Sequence, residues 1–201
     1  MTQVRATPPG LRERRKLATR AALVTAALRL FDTRGYAEVT VEEICAAAEV
    51  SPRTFFRYFP AKDDVLLAPL LEMLEADIAD LRARPADEST WAALRAVLTA
   101  AAARIDADRR EETLQAVRTL RRSPEALAAN ARAITEAGAT LALVVADRGG
   151  LDHPDLAARV LTGRAIAAYQ AAIETWVDSG GAGSLAALVG EALALGGAAA
   201  D

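Results

Sequence analysis

Residues 40–60, TVEEICAAAEVSPRTFFRYFP, decide how this chain is read. Thr40 and Glu43 have the spacing of a capping box, in which the hydroxyl takes the N3 amide and the carboxylate returns to the cap. The short helix they open runs to about Ala48. Ser51 caps a second start with Pro52 at its first position, where a missing N–H costs nothing, and Pro60 ends it after two turns. Two short helices joined across Ala48–Ser51 spell a helix-turn-helix. Ile44, Ala48, Val50 and Phe55 are its expected buried positions, and small Cys45 suits the place where the helices cross. At 100° per residue, Phe55 and Phe59 share one face of the second helix. Arg53, Phe56 and Arg57 lie opposite, flanked by Pro52 and Thr54. That outward set can read a major groove: arginine pairs with guanine O6 and N7, and Thr or Phe meets a thymine methyl. A solvated basic face would explain the arginines but not the outward aromatics.

Working outward, the region from Leu17 to Arg34 is periodic, with Leu23, Ala27, Leu30 and Phe31 on one side, and stops at Gly35. Before it, residues 1–14 read as a basic arm broken by Pro8, Pro9 and Gly10. After Pro60 a helix is expected from Lys62 into the low eighties, bent near Pro69. Further helices are expected over 90–107, 110–121, from Ser123-Pro124 to Asp147, from Asp152-His153-Pro154 to Ser179, and from Ser184 to Leu195. The fold class is all-α, with about nine helices and no strand.

Composition agrees. Of 201 residues, 49 are alanine and only 4% are aromatic, which favours helix over sheet. One cysteine, Cys45, excludes a disulfide scaffold and suits a reducing cytoplasm. One histidine, His153, leaves a histidine metal site or a Ser-His-Asp triad without partners, so no catalytic residue, metal or cofactor is expected. No apolar run approaches the length of a membrane span and no secretory signal opens the sequence, so a cytoplasmic protein without a membrane partner is expected. The net charge of −3 hides +3 over residues 1–70 and −6 over 71–201. Such asymmetry assigns a polyanion to the first part and not the second.

The stretches LFDTRGYAEVTVEEICAAAEVS (30–51) and SPRTFFRYFPAKDDVLL (51–67) resemble the DNA-binding domain of TetR-family transcriptional regulators. The resemblance implies a reading domain over 15–62 and a ligand-binding and dimerisation domain over 63–201. It further implies a homodimer that a small effector releases from a palindromic double-stranded operator. Carried onto this chain, Thr40 and Val41 start the second helix near the phosphates. Pro52, Arg53 and Thr54 face the bases, and Tyr58 and Lys62 clamp the backbone. Three positions depart from the family pattern. Glu49 stands where glycine is common and a positive φ is called for. Phe56 replaces a phosphate-binding tyrosine, and Ala61 replaces a capping serine. The stretch around RTFFRYFP also looks like actinobacterial regulators, some of which sense acyl-CoA thioesters.

In the second half, Ile166, Tyr169, Ile173 and Trp176 form one stripe, and Leu185, Leu188, Val189 and Ala192 another. Each stripe alone reads as core within the chain. The family resemblance makes the two a dimer seam, with Gly163 and Ala167 permitting close approach. Expected effector walls are Met73, Leu74, Trp91, Leu94, Leu98, Leu120, Leu141 and Tyr169, with Arg121 and Gln170 as polar anchors. Apolar walls and a lack of buried acids point to a lipophilic effector. The competing readings are an activator or sigma-like factor, and a small helical enzyme or lipid carrier with an incidental basic arm.

Overall fold

The computed structural model describes residues 10–71 and 74–197. It is all-α, with α1 (Leu11–Arg34), α2 (Val41–Ala47), α3 (Pro52–Tyr58), α4 (Lys62–Leu71), α5 (Leu74–Ala83), α6 (Thr90–Arg104), α7 (Arg110–Arg122), α8 (Pro124–Arg148), α9 (Leu156–Asp178) and α10 (Leu185–Gly197). A π-turn, Ile105–Arg109, joins α6 to α7, and no strand occurs among the described residues. The one helix expected from Lys62 into the low eighties is described in two parts, α4 and α5. The chain divides into two compact units, Met1–Ala68 and Pro69–Asp201.

In the first unit, α1 begins at Leu11, six residues before the start expected from periodicity. Its opening turns are exposed Arg and Lys with Glu13, good helix formers that bury nothing, so no apolar stripe announces them. Of the expected arm, residues 11–14 are helical and residues 1–9 lie outside the described residues. Further on, α1 buries Leu23, Val24, Ala27, Leu28 and Phe31. It stops where Gly35 takes φ 88° and donates its N–H to the Phe31 carbonyl at 2.9 Å.

In the second unit, Trp176 is fully buried and Leu81, Leu94, Leu185, Val189 and Leu193 are packed into the same core. Two long-range polar links hold this unit's helix ends. Arg148 donates to the carbonyls of Leu81 and Arg84 at 3.0 and 3.1 Å, satisfying the end of α5. From the π-turn, Asp106 accepts the N–H groups of Leu185 and Ala186, both at 3.0 Å, and the Ser184 hydroxyl at 2.8 Å. Those bonds hold its carboxyl below the usual range against the opposing effect of burial. The α10 start is therefore capped twice, by Ser184 as expected and by Asp106 from a different helix. The start of α9 differs from expectation: Asp155, not Asp152, accepts the Ala158 N–H at 2.8 Å.

Candidate nucleic-acid interface and effector cavity

In the first unit the capping box forms as the sequence dictates. Glu43 N–H donates to Thr40 Oγ1 at 3.2 Å, and Thr40 N–H donates to Glu43 Oε2 at 2.9 Å. Glu43 also accepts Arg34 at 2.7 Å, and with the Thr40 amide this holds its carboxyl below the usual range. Ser51 caps α3 by accepting the Thr54 N–H at 3.2 Å. Between the helices, Val50 N–H reaches the Cys45 carbonyl at 2.9 Å, and Glu49 takes φ 53°. The left-handed position that glycine would fill is thus occupied by a glutamate.

Ile44, Cys45, Phe55 and Phe59 are buried, while Ala48 and Val50 are half-buried rather than buried, because they sit at the turn. Burial also pushes the Cys45 thiol upward, which suits a packing residue. Pro52, Arg53, Phe56 and Arg57 are exposed together, and Thr54 and Tyr58 are half-buried beside them. Phe56 is 55% exposed, yet its ring meets that of Phe55 edge-on at 5.4 Å. It stands on the surface instead of folding into the core. Arg57 lies over the Tyr58 ring at 5.0 Å. Arg53 has no ion pair or hydrogen bond among the described residues. Thr40 is exposed and Val41 half-buried at the α2 start.

Lys62 departs from its expected role. Its ammonium donates to the carbonyls of Tyr36 and Val39 at 2.9 and 3.0 Å and sits 4.2 Å from the Tyr36 ring centroid. The Tyr36 hydroxyl in turn donates to Asp63. At the start of α4, Asp64 accepts the Ala61 N–H at 2.7 Å, the half of a capping box that does not need a side-chain oxygen at position 61.

In the second unit a cavity of about 260 Å³ is walled by α4 to α9, with the part of α4 beyond Ala68 contributing. Leu74, Leu98, Leu120, Arg121, Leu141, Tyr169 and Gln170 line it, seven of the expected positions. Met73 lies outside the described residues. Leu94 does not line it and is buried in the core. Trp91 also turns away: it packs on the glycine end of α10, where a Cβ on Gly197 would come within 2.6 Å of its ring, and Arg164 covers it at 5.0 Å. Arg121 is engaged by Asp178 at 2.6 Å and by the Glu174 carbonyl.

Two expectations are corrected here. Asp77 lines the cavity, bonded to Arg104, and burial pushes its carboxyl up to about 6, so a half-buried acid is present. No sequence signal marks it, because Glu75 and Asp80 beside it read as a solvated face and Arg104 is 27 residues away. The stripes assigned to a seam also divide. Trp176, Leu185 and Val189 have no accessible surface within the single chain, so no partner can cover them. Ile166 and Ile173 line the cavity, and Leu188 and Ala192 pack against the core. Gly163 and Ala167 alone remain exposed, on a face of α9 they share with Val160 and Ala171.

Among the described residues no His, Cys, Asp or Glu cluster could hold a metal, and no helix is long and apolar enough to cross a membrane. His153 is exposed.

A helix-turn-helix with an outward Arg-Phe-Arg face, in a chain whose second unit is a helical bundle around an apolar cavity, defines a one-component regulator. A family profile for bacterial regulatory proteins of the tetR family matches residues 23–68, and one described as the MftR C-terminal domain matches residues 88–199. The HTH-type transcriptional regulator TcmR of Streptomyces glaucescens is 39% identical over 162 residues, 75% of this chain and 70% of its own length. The SmeT–triclosan complex superposes with a TM-score of 0.63 at 20% identity, covering 90% of this chain and 91% of that one. Thermus thermophilus FadR, a TetR-family repressor solved with lauroyl-CoA, gives 0.52 at 25% identity, covering 88% and 92%. The chain belongs to the TetR family and is a transcriptional regulator, which sets aside the enzyme and lipid-carrier readings.

Proposed function

We propose that this regulator is a repressor that binds a palindromic operator as a homodimer and leaves it when a small, largely apolar effector occupies the cavity. In this reading the operator reader lies in the first unit, Met1–Ala68, and the effector-binding and dimerisation part of a cytoplasmic protein in the second, Pro69–Asp201. The observation that carries it is α3: Arg53, Phe56 and Arg57 stand exposed on one face, with Arg53 unengaged. A free guanidinium beside an exposed aromatic is suited to a guanine edge and a thymine methyl. Two-fold symmetry follows from affinity, since a two-turn reader covers one half-site and a second copy is needed for the next groove. The exposed Val160, Gly163, Ala167 and Ala171 face of α9 supports a close-packed seam. The cavity supports effector control, as does the lauroyl-CoA carried by the Thermus thermophilus repressor.

An effector can act only through its different affinity for the free and operator-bound forms, so operator must weaken effector binding by the same factor. Fluorescence anisotropy on the inverted repeat nearest the gene, against random duplex, tests the reading. Operator binding that is salt-dependent, sequence-selective and antagonised by the effector is expected. Equal binding to both duplexes would overturn it.

A further inference from the structure

The cavity is mostly Leu, Ile, Val and Ala, but one part of its wall is polar in a specific way. Asp77 on α5 and Tyr169 on α9 both line it. Desolvation, with the Asp77 charge adding to it, pushes the Tyr169 phenol up to about 12. Tyr169 is therefore a neutral hydroxyl, and among the described residues it has no hydrogen-bond partner. Asp77 is an acceptor whose lone pairs exceed what Arg104 uses. Arg104 is also shared with Asp80 at 3.7 Å, and Arg121, the arginine in the cavity wall, is engaged by Asp178. Glu174 adds a second carboxylate to the lining. The polar part of the wall thus offers the Asp77 and Glu174 carboxylates, the Tyr169 hydroxyl and the amides of Asn130 and Gln170, and no unengaged cation among the described residues.

We infer that the cavity takes a neutral, largely apolar molecule whose hydroxyl group donates to Asp77 and accepts from Tyr169, and that it rejects anions. This rests on the effector-binding role proposed above and names the effector's chemistry. A hydroxyl is the simplest group that both donates and accepts at one atom. A ketone accepts from Tyr169 but offers nothing to the Asp77 lone pairs that Arg104 leaves open. An ammonium carries a full charge into apolar walls toward a carboxylate already paired. A carboxylate or phosphate meets Asp77 and Glu174, with Arg104 and Arg121 both spoken for. A cavity of about 260 Å³ lies near the lower end of small-molecule sites and suits a compact body such as a fused bicycle.

Titration calorimetry at pH 7.5 with 2-naphthol, naphthalene and 2-naphthoate, which share one apolar body, tests this on the full chain. 2-Naphthol binding at least tenfold tighter than either of the others is expected. Tyr169→Phe should cost at least fivefold for 2-naphthol and leave naphthalene unchanged, and Asp77→Asn should do the same. Because Asp77→Asn removes an ion pair, the Tyr169→Phe result stands if that variant fails to fold. Equal affinities for 2-naphthol and naphthalene would overturn the hydroxyl assignment and leave the cavity as an effector site. Tighter 2-naphthoate binding would overturn the rejection of anions. Failure of all three to bind would overturn the cavity's effector role along with the inference.

Discussion

Lys62 is bound to Tyr36 twice: its ammonium donates to the Tyr36 carbonyl at 2.9 Å and lies 4.2 Å from the centroid of the same residue's ring. A third link, to the Val39 carbonyl at 3.0 Å, closes the loop between α1 and α2 onto the start of α4. The motif that assigns this lysine to a phosphate is met here by a lysine already committed to backbone oxygens. Lys62→Ala is expected to destabilise the chain by about 1–3 kcal/mol, the range for charge-assisted bonds, in a denaturant titration. The slope of log affinity against log salt should fall by well under one unit. A full unit lost with no change in stability would return Lys62 to the phosphate.

Glu49 offers a second test in the same domain. A non-glycine residue at φ 53° pays about 1–2 kcal/mol in steric strain, while glycine restores about 0.5–1 kcal/mol of unfolded-state entropy. Glu49→Gly is therefore expected to raise the denaturation midpoint by an amount equivalent to about 0.5–1 kcal/mol. It also removes a negative charge from the reading domain, so affinity for random duplex should rise. A lower midpoint would show that the side chain makes a stabilising contact.

These two residues show where the sequence is legible. The motif reading anticipates the positive φ at Glu49 because a turn's backbone is set within four residues. Thr40 with Glu43, Ser51 with Pro52, and the stop at Gly35 are equally local, and all appear in the structure. What the pattern does not carry is long-range. The Asp106 cap on α10 joins residues 79 and 80 positions apart, and it depends on a π-turn that interrupts no visible periodicity. The stripe Ile166, Tyr169, Ile173 and Trp176 is legible as a stripe and ambiguous as a surface. Helical spacing shows that residues share a face but not what covers it, and here that face meets a cavity and a core.

Arg53 should separate base reading from phosphate contact. Arg53→Ala is expected to cost about 1–3 kcal/mol on the operator and little on random duplex, if its guanidinium pairs with a guanine. Because Arg53 is exposed and unengaged, stability should not change. Parallel losses on both duplexes by anisotropy would make it a phosphate contact.

Asp77 gives a pH signature of defined sign. Its carboxyl rises from an ordinary value of 3.8 to about 6, chiefly through burial, with Asp80 adding to the rise and Arg104 opposing it. The folded chain therefore holds more protons than the unfolded chain between those values. Stability from this group is greatest below about pH 4 and is lost as pH rises through 6. Glu43, Glu88 and Asp106 have lowered values, so their contributions fade only near and below pH 4.5. Thermal melts should show wild type gaining stability from pH 7.5 to pH 5 relative to Asp77→Asn. Parallel profiles for the two proteins would remove Asp77 as the source.

Gly163 tests the seam without disturbing the fold. A Cβ added there meets nothing within 4 Å, so the single chain has open space at that position. It also sits inside α9, where replacing glycine by a better helix former favours the helix by up to about 1 kcal/mol. Gly163→Glu should therefore fold at least as well as wild type as a monomer. If α9 packs closely on its twin, the same substitution places two carboxylates and their added bulk in the seam, and the dimer should dissociate. Operator affinity should fall with it, because each chain then presents a single reading helix. Sedimentation velocity and melting temperature measured together decide the matter. A stable monomer places the seam on the Val160, Gly163, Ala167 and Ala171 face. An undisturbed dimer moves it to other exposed apolar positions of this unit, among them Leu127 and Leu143 on α8, Leu156 on α9 and Leu195 on α10.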